Sequence, residues 1–331
     1  MKLFIFGSTG DLVKRKVMKS LQELGGEFPI YAIGRKSMDA TEYQNFICSD
    51  WCNLSFRNRL NYLQVNFDDL KVSDFENELS KDGVNYFYLS LPPGSVDSVL
   101  HLISDIKRDG YSVKVLSEKP FGESLESSFN LKRKLENLDL LSDFFVSDHY
   151  LFKENFSNFI ENFEKMKIVS VEEVGLEGRI SYYDSVGALK DMVQSHFLNL
   201  VMKNFKFNFN VDNIVVREFV KGQYRGYSEE LGRDTKTETY VKLVFDCCGK
   251  SFEFVTGKAF SKKVGFVEVD SVRVEMGEDN SYVRVFDNLF QGNFSSFPTV
   301  EDSIRGWEII DKFEKISEKD FEFYEKGRAF E

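Results

Sequence analysis

A chain of 331 residues with 42% hydrophobic content can bury a sizeable core, and its length suggests two domains rather than one. The formal charge of -11 argues against nucleic acid or an anionic membrane as a general partner, because the summed field repels phosphate, so an anionic ligand needs a local basic cluster. The opening apolar run, Met1 to Phe6, is too brief for a signal-peptide core or a membrane span, which predicts a cytoplasmic protein.

Lys2 to Phe6 is apolar and bounded by Gly7, as a buried parallel strand would be, and Leu12, Val17, Leu21 and Leu24 follow at helical spacing. Pro29 to Ile33 reads as a second strand, so the opening is strand, helix, strand with a right-handed crossover expected. Further strands are predicted at Tyr62 to Val65, Tyr86 to Leu91 and Val113 to Leu116, each followed by a polar or helical stretch. This is the rhythm of a doubly wound, Rossmann-like parallel sheet.

After about Asp148 the pattern changes. Apolar and polar residues alternate in Lys167 to Leu176, Thr239 to Phe245, Phe252 to Thr256 and Val264 to Met276, with helical stretches between them. That predicts an α+β domain with a mostly antiparallel sheet, and the boundary is drawn between residues 1–147 and 148–331. The tail from Lys315 to Glu331 is charged and is expected at the surface. Cys48, Cys52, Cys247 and Cys248 form no paired knuckles, and three histidines supply a structural zinc poorly. All four cysteines are therefore read as reduced thiols, with no metal expected.

Gly7-Ser8-Thr9-Gly10-Asp11-Leu12 lies between the first strand and its helix, where glycine permits a tight turn and close approach of backbone N–H groups to a pyrophosphate. It is shorter than the full Gly-x-Gly-x-x-Gly, and alone a plain strand-to-helix turn explains it equally well. Its place at the first strand-helix junction favours a dinucleotide. The second strand ends in Gly34-Arg35-Lys36, where an NAD enzyme usually places an acidic residue for the ribose hydroxyls. A guanidinium there fits a 2'-phosphate bidentately, so NADP is the expected cofactor, held by Thr9 and Arg35, with NAD left open.

Three further segments exceed what packing requires: Glu118-Lys119-Pro120-Phe121-Gly122, the run Asp148-His149-Tyr150-Leu151-Phe152-Lys153-Glu154, and Tyr182-Tyr183-Asp184 leading into residues 187–196. Gly222-Gln223-Tyr224, Thr237-Glu238-Thr239-Tyr240, Thr256-Gly257-Lys258 and Phe323-Tyr324-Glu325-Lys326-Gly327 follow in order. Together these resemble the glucose-6-phosphate dehydrogenase family over nearly the whole chain. Two departures stand out: the second domain is shortened, and Phe152 replaces the glycine that the family carries between leucine and lysine.

The resemblance implies hydride transfer from C1 of glucose 6-phosphate to NADP, giving 6-phosphogluconolactone. It gives residues 1–147 the dinucleotide and residues 148–331 substrate binding and subunit contacts; the family's homodimer is built on the second domain's sheet, where the shortening leaves the oligomeric state open. It makes His196 the base, a role histidine fits near neutral pH. Asp148 would fix the imidazole tautomer, although by itself it could equally cap a helix beginning near Phe152. Gly7, Ser8, Thr9, Gly10, Asp11, Leu12, Arg35 and Lys119 are the expected cofactor residues. Lys16, Lys119, His149, Tyr150, Lys153, Glu172, Asp191 and Lys258 are the expected sugar-phosphate residues, and a cis Lys119–Pro120 bond would aim the lysine into the cleft. Two other readings keep the fold: a sugar oxidoreductase of the glucose-fructose type, and a non-catalytic NADP-binding regulatory homologue.

Overall fold

In the computed structural model, which describes residues 1–153, 162–176, 180–277, 280–316 and 320–330, the apolar run Lys2–Phe6 forms β1 inside a six-stranded sheet. A π-helical turn, Val13–Val17, leads into α1 (Met18–Leu24), and then come β2 (Ile30–Gly34), α2 (Ala40–Cys48), α3 (Leu54–Arg59) and β3 (Leu60–Gln64). The unit continues through β4 (Asn85–Leu89), α4 (Val96–Arg108), β5 (Val113–Glu118), α5 (Leu125–Asn137) and β6 (Phe144–Ser147). All five strand pairings are parallel, in the order β3-β2-β1-β4-β5-β6. Strand order therefore reverses between β1 and β4, and a doubly wound sheet binds ligands beyond the carboxyl ends of its strands at such a point. Phe4 stacks between Tyr31 and Phe87 at 5.0 and 5.1 Å, which ties the three central strands by aromatic burial.

The chain divides into two compact units, Met1–His149 with Asn280–Val300, and Tyr150–Asp279 with Glu301–Glu331. The division falls inside the Asp148–His149–Tyr150 motif, and residues 280–300 return to the first unit, an excursion absent from the sequence reading.

The second unit holds β7 (Lys165–Val171), α6 (Ile180–Asp184), a π-helical stretch Leu189–Phe197 that continues as α7 (Leu198–Lys203), β8 (Val215–Tyr224), α8 (Tyr227–Leu231), β9 (Tyr240–Cys247), β10 (Lys250–Gly257), β11 (Val264–Val269) and β12 (Val272–Glu275). The chain then passes through α9 (Ser281–Phe290) of the first unit, α10 (Val300–Glu314) and β13 (Asp320–Tyr324). Sheet order is β12-β11-β7-β10-β9-β8-β13, antiparallel except where β7 meets β10 and β8 meets β13. Phe245, Phe252, Phe254 and Phe209 pack ring against ring on this sheet, with Phe245 and Phe252 stacked at 5.0 Å.

Three expectations are corrected. The stretch from Val264 to Met276 is two strands, because Asp270 and Ser271 take positive φ and turn the chain between β11 and β12. The charged tail is not simply a surface segment: β13 adds to the sheet edge beside β8, and Tyr324 is buried. Cys48 and Cys52 are joined in a disulfide rather than reduced, since the left-handed Ser49 at the end of α2 folds the chain back and brings the two Cα atoms to 5.0 Å. Cys247 and Cys248 are free. Among the described residues no helix is long and apolar enough to cross a membrane.

Candidate active site

The loop after β1 is built for close backbone approach. Gly7 has φ +78°, and a Cβ there would lie 2.1 Å from the carbonyl oxygen of Ser90, so only glycine fits. The Gly10 N–H donates to the Gly7 carbonyl at 3.0 Å, and the chain turns directly into the helix. Ser8 is anchored twice: its N–H donates to Ile33 O at 3.1 Å and its carbonyl accepts from the Tyr43 hydroxyl of α2 at 3.0 Å. The Ser8 hydroxyl is fully buried with no protein partner among the described residues. A cradle that a Cβ would fill, with an unsatisfied hydroxyl beside it, fits a bound pyrophosphate. Leu12 closes this segment half-buried, and Asp11 is exposed and pairs with Arg15 at 2.6 Å.

Thr9 is half-buried in the loop, and Arg35 is exposed at the carboxyl end of β2. Two lysines, Lys36 of the Gly34-Arg35-Lys36 segment and Lys14, to which no cofactor role was given, add positive charge here. The ammonium groups of Lys14 and Lys36 both lie over the Phe46 ring, at 4.4 and 5.1 Å, one from the loop's helix and one beside Arg35. Lys16 is exposed on the π-helical turn that follows the loop.

Lys119 follows β5, and the Lys119–Pro120 bond is cis. Glu118 accepts from the Tyr88 hydroxyl and from the Tyr282 hydroxyl of α9 at 3.3 Å, and burial still pushes its carboxyl above the ordinary carboxylate range. The Tyr282 ring also stacks on His149 at 5.5 Å, 14° from parallel. Tyr282 thus touches the residue before Lys119 and His149 of the expected phosphate motif, yet it lies 164 positions from Glu118, too far for sequence spacing to connect them. Asp148 is fully buried at the end of β6, ahead of the short 3-10 turn His149–Phe152. Most of the helix expected to begin near Phe152, Glu154 included, lies outside the described residues.

In the second unit Tyr150 is the organising ring. Its hydroxyl pairs with Ser170 Oγ at 3.0 Å, its face stacks on the His196 imidazole at 4.2 Å, and the Lys153 ammonium lies 4.2 Å from its centroid. His196 is 2% exposed within the π-helical stretch, a local widening that recurs at functional sites. That helix is held at its start by Glu238, whose carboxylate accepts from Leu189 N–H at 2.9 Å. Gly187 makes room: a Cβ there would stand 2.6 Å from the same carboxylate. The Thr-Glu-Thr and Gly-Ala-Leu motifs are in this way accounted for as supports of the histidine helix.

Glu172 and Lys258 pair at 2.7 Å, and the Tyr324 hydroxyl donates to the Lys258 carbonyl at 2.8 Å, so the buried tail strand fixes the lysine's backbone. Asp191 is half-buried one helical turn before His196. The hydroxyl of Tyr183, a residue of the Tyr182-Tyr183-Asp184 segment to which no site role was given, is buried with no protein partner among the described residues; burial first, then the Asp191 charge, pushes it well above the ordinary phenol value. Asp184 is structural: it accepts from Thr235 Oγ1 at 2.8 Å and Arg233 at 2.6 Å, which tethers the 233–237 loop. Phe152 is buried.

Comparison with known proteins places this geometry. The family model described as "Glucose-6-phosphate dehydrogenase, NAD binding domain" matches residues 4–158, and the one described as "Glucose-6-phosphate dehydrogenase, C-terminal domain" matches residues 148–205. A glucose-6-phosphate 1-dehydrogenase of Rhizobium meliloti is 29% identical over 345 aligned positions, covering 80% of this chain and 69% of that protein. The crystal structure of the Mycobacterium avium glucose-6-phosphate 1-dehydrogenase superposes with a TM-score of 0.80 at 22% identity, over 98% of this chain and 94% of that one. A glucose-6-phosphate dehydrogenase solved with glucose 6-phosphate gives 0.76 at 18% identity, over 99% and 95%. With one family's two domain models running consecutively through the loop, the tyrosine-histidine stack and the helix that carries it, the chain belongs to the glucose-6-phosphate dehydrogenase family.

Proposed function

We propose that this chain oxidises glucose 6-phosphate at C1 with NADP, giving 6-phosphogluconolactone. The observation that carries the reading is the Tyr150 ring, which has a buried imidazole against its face and the Lys153 ammonium 4.2 Å away. A proton acceptor and a hydrogen-bond donor for the substrate phosphate are thereby organised by one side chain.

The first unit holds the cofactor and the second the sugar phosphate. A bound NADP would supply the hydride acceptor for C1. The Gly7–Leu12 loop receives the pyrophosphate on backbone N–H groups, while Thr9 and Arg35 hold the 2'-phosphate with Lys14 and Lys36 adding positive charge. Lys119 serves both ligands. His149, Tyr150 and Lys153 bind the substrate phosphate; Lys16, Glu172, Asp191 and Lys258 engage the sugar hydroxyls. His196 takes the C1 hydroxyl proton, and Asp148 accepts from the other ring N–H and stabilises the imidazolium. The cytoplasm, where phosphorylated sugars and NADP are retained, is the compartment this reading assigns.

Two measurements test the reading. The purified protein, incubated with glucose 6-phosphate and NADP, should form a sugar acid phosphate in step with reduced cofactor, read by mass spectrometry of the products; reduced cofactor without the acid, or neither, would refute it. Arg35→Ala should weaken NADP binding by about 10-fold or more, the loss of one charge-assisted bidentate contact of roughly 1.5–3 kcal/mol, and leave NAD binding little changed. Equal weakening of both cofactors, measured by calorimetric titration, would count against the assignment of Arg35.

A further inference from the structure

Cys247 ends β9 and Cys248 opens the two-residue turn into β10. Successive side chains along a strand point to opposite faces, so neighbouring cysteines are ordinarily held apart. Here Cys248 and Gly249 take φ values of +50° and +77°, the left-handed pair of a tight hairpin turn. The fold-back brings the two sulfurs to 3.6 Å. Cys247 is buried and its thiol donates to the Asn210 carbonyl at 3.4 Å; Cys248 is exposed and its sulfur accepts from the Asn213 amide at 3.8 Å. Burial pushes the Cys247 thiol up to about 11. At Cys248 burial acts the same way but is outweighed by hydrogen bonding with the Asn210 backbone, Cys247 and Asn213, which leaves that thiol below its ordinary value and the more reactive of the two.

A direct disulfide between these residues is disfavoured. Adjacent Cα atoms across a trans peptide are about 3.8 Å apart, short of the roughly 4.4–6.8 Å that disulfides usually span. Cys48 and Cys52, at 5.0 Å, meet that requirement and are bonded. A larger atom inserted between the sulfurs needs no such closure, and soft thiolates select soft, thiophilic centres.

We propose that Cys247 and Cys248 form a dithiol site for trivalent arsenicals at the tip of the β9–β10 hairpin. With a mono-organoarsenic oxide, two As–S bonds form as the As–O bonds break, both thiol protons pass to the oxygen, and one water leaves with no change of oxidation state.

Phenylarsine oxide added to the disulfide-intact protein and read by intact-mass spectrometry tests this. One adduct per chain is expected, stable to β-mercaptoethanol and removed by ethanedithiol at the same thiol concentration. Cys248→Ser, at an exposed position, should keep the fold by circular dichroism and lose the dithiol-sensitive adduct. Cys247→Ala should lose it as well, and the double variant Cys48→Ser with Cys52→Ser should retain it. An adduct of unchanged stability in folded Cys248→Ser would overturn the proposal, as would no adduct on wild-type protein whose two free thiols are confirmed by titration.

Discussion

His196 is a buried side chain held by a neighbouring ring, and Glu118 is a carboxyl whose proton affinity burial raises. The imidazole is enclosed but stacked on Tyr150, so its position is fixed by a ring contact rather than by solvent. His196→Asn keeps a polar side chain there and should leave substrate and cofactor binding nearly intact while lowering turnover at least about 10²-fold, the lower end for loss of a general base. Wild-type turnover in the purified variant would remove His196 from the mechanism. At Glu118 burial raises the carboxyl against the pull of two phenols, so the folded chain keeps that proton to a higher pH than the unfolded chain does. As pH rises from the ordinary carboxylate value through the raised one, ionisation costs more in the fold than out of it, and this contribution to stability falls. Glu118→Gln should flatten the pH dependence of unfolding across that window; identical pH profiles of denaturant unfolding for both proteins would contradict this.

At the scale of elements, the helix bearing His196 depends on a carboxylate from another segment. Glu238 accepts the Leu189 N–H, and Gly187 leaves the space it occupies. Glu238→Ala would leave that buried N–H unpaired, a loss of about 1–3 kcal/mol in denaturant unfolding, with turnover falling further than stability accounts for because the histidine helix shifts. Unchanged unfolding would show that the cap carries no weight. Much at this scale was readable in advance. Short apolar runs bounded by glycine or proline located β1, β2, β4 and β5 to within two residues, because a strand buried on both faces leaves a continuous apolar signature. β6 is only four residues long, and β13 is embedded in charged sequence, so neither stood out from its neighbours. The π-helical turns left no trace, since residue spacing alone does not distinguish a local widening from an ordinary helix.

At the scale of the whole chain, two features escaped sequence reading because both depend on residues far apart. Residues 280–300 return to the first unit, where Phe286 and Phe290 of α9 pack on Tyr88 and Tyr86 at 5.2 Å. Tyr282 comes with them to meet Glu118 and His149. The motifs, by contrast, were legible by type and order, and several proved to be supports: Glu238, Gly187 and Tyr324 hold other site residues in place. A phosphorylated hexose as substrate and NADP as acceptor are the two ligands proposed to meet on this chain. The most direct measurement is the initial rate of NADP reduction by the purified protein with glucose 6-phosphate, set against glucose at the same concentration. Rapid, saturable reduction with the phosphate and little without it is the predicted result; equal rates with both sugars, or none with either while NADP still binds, would contradict it.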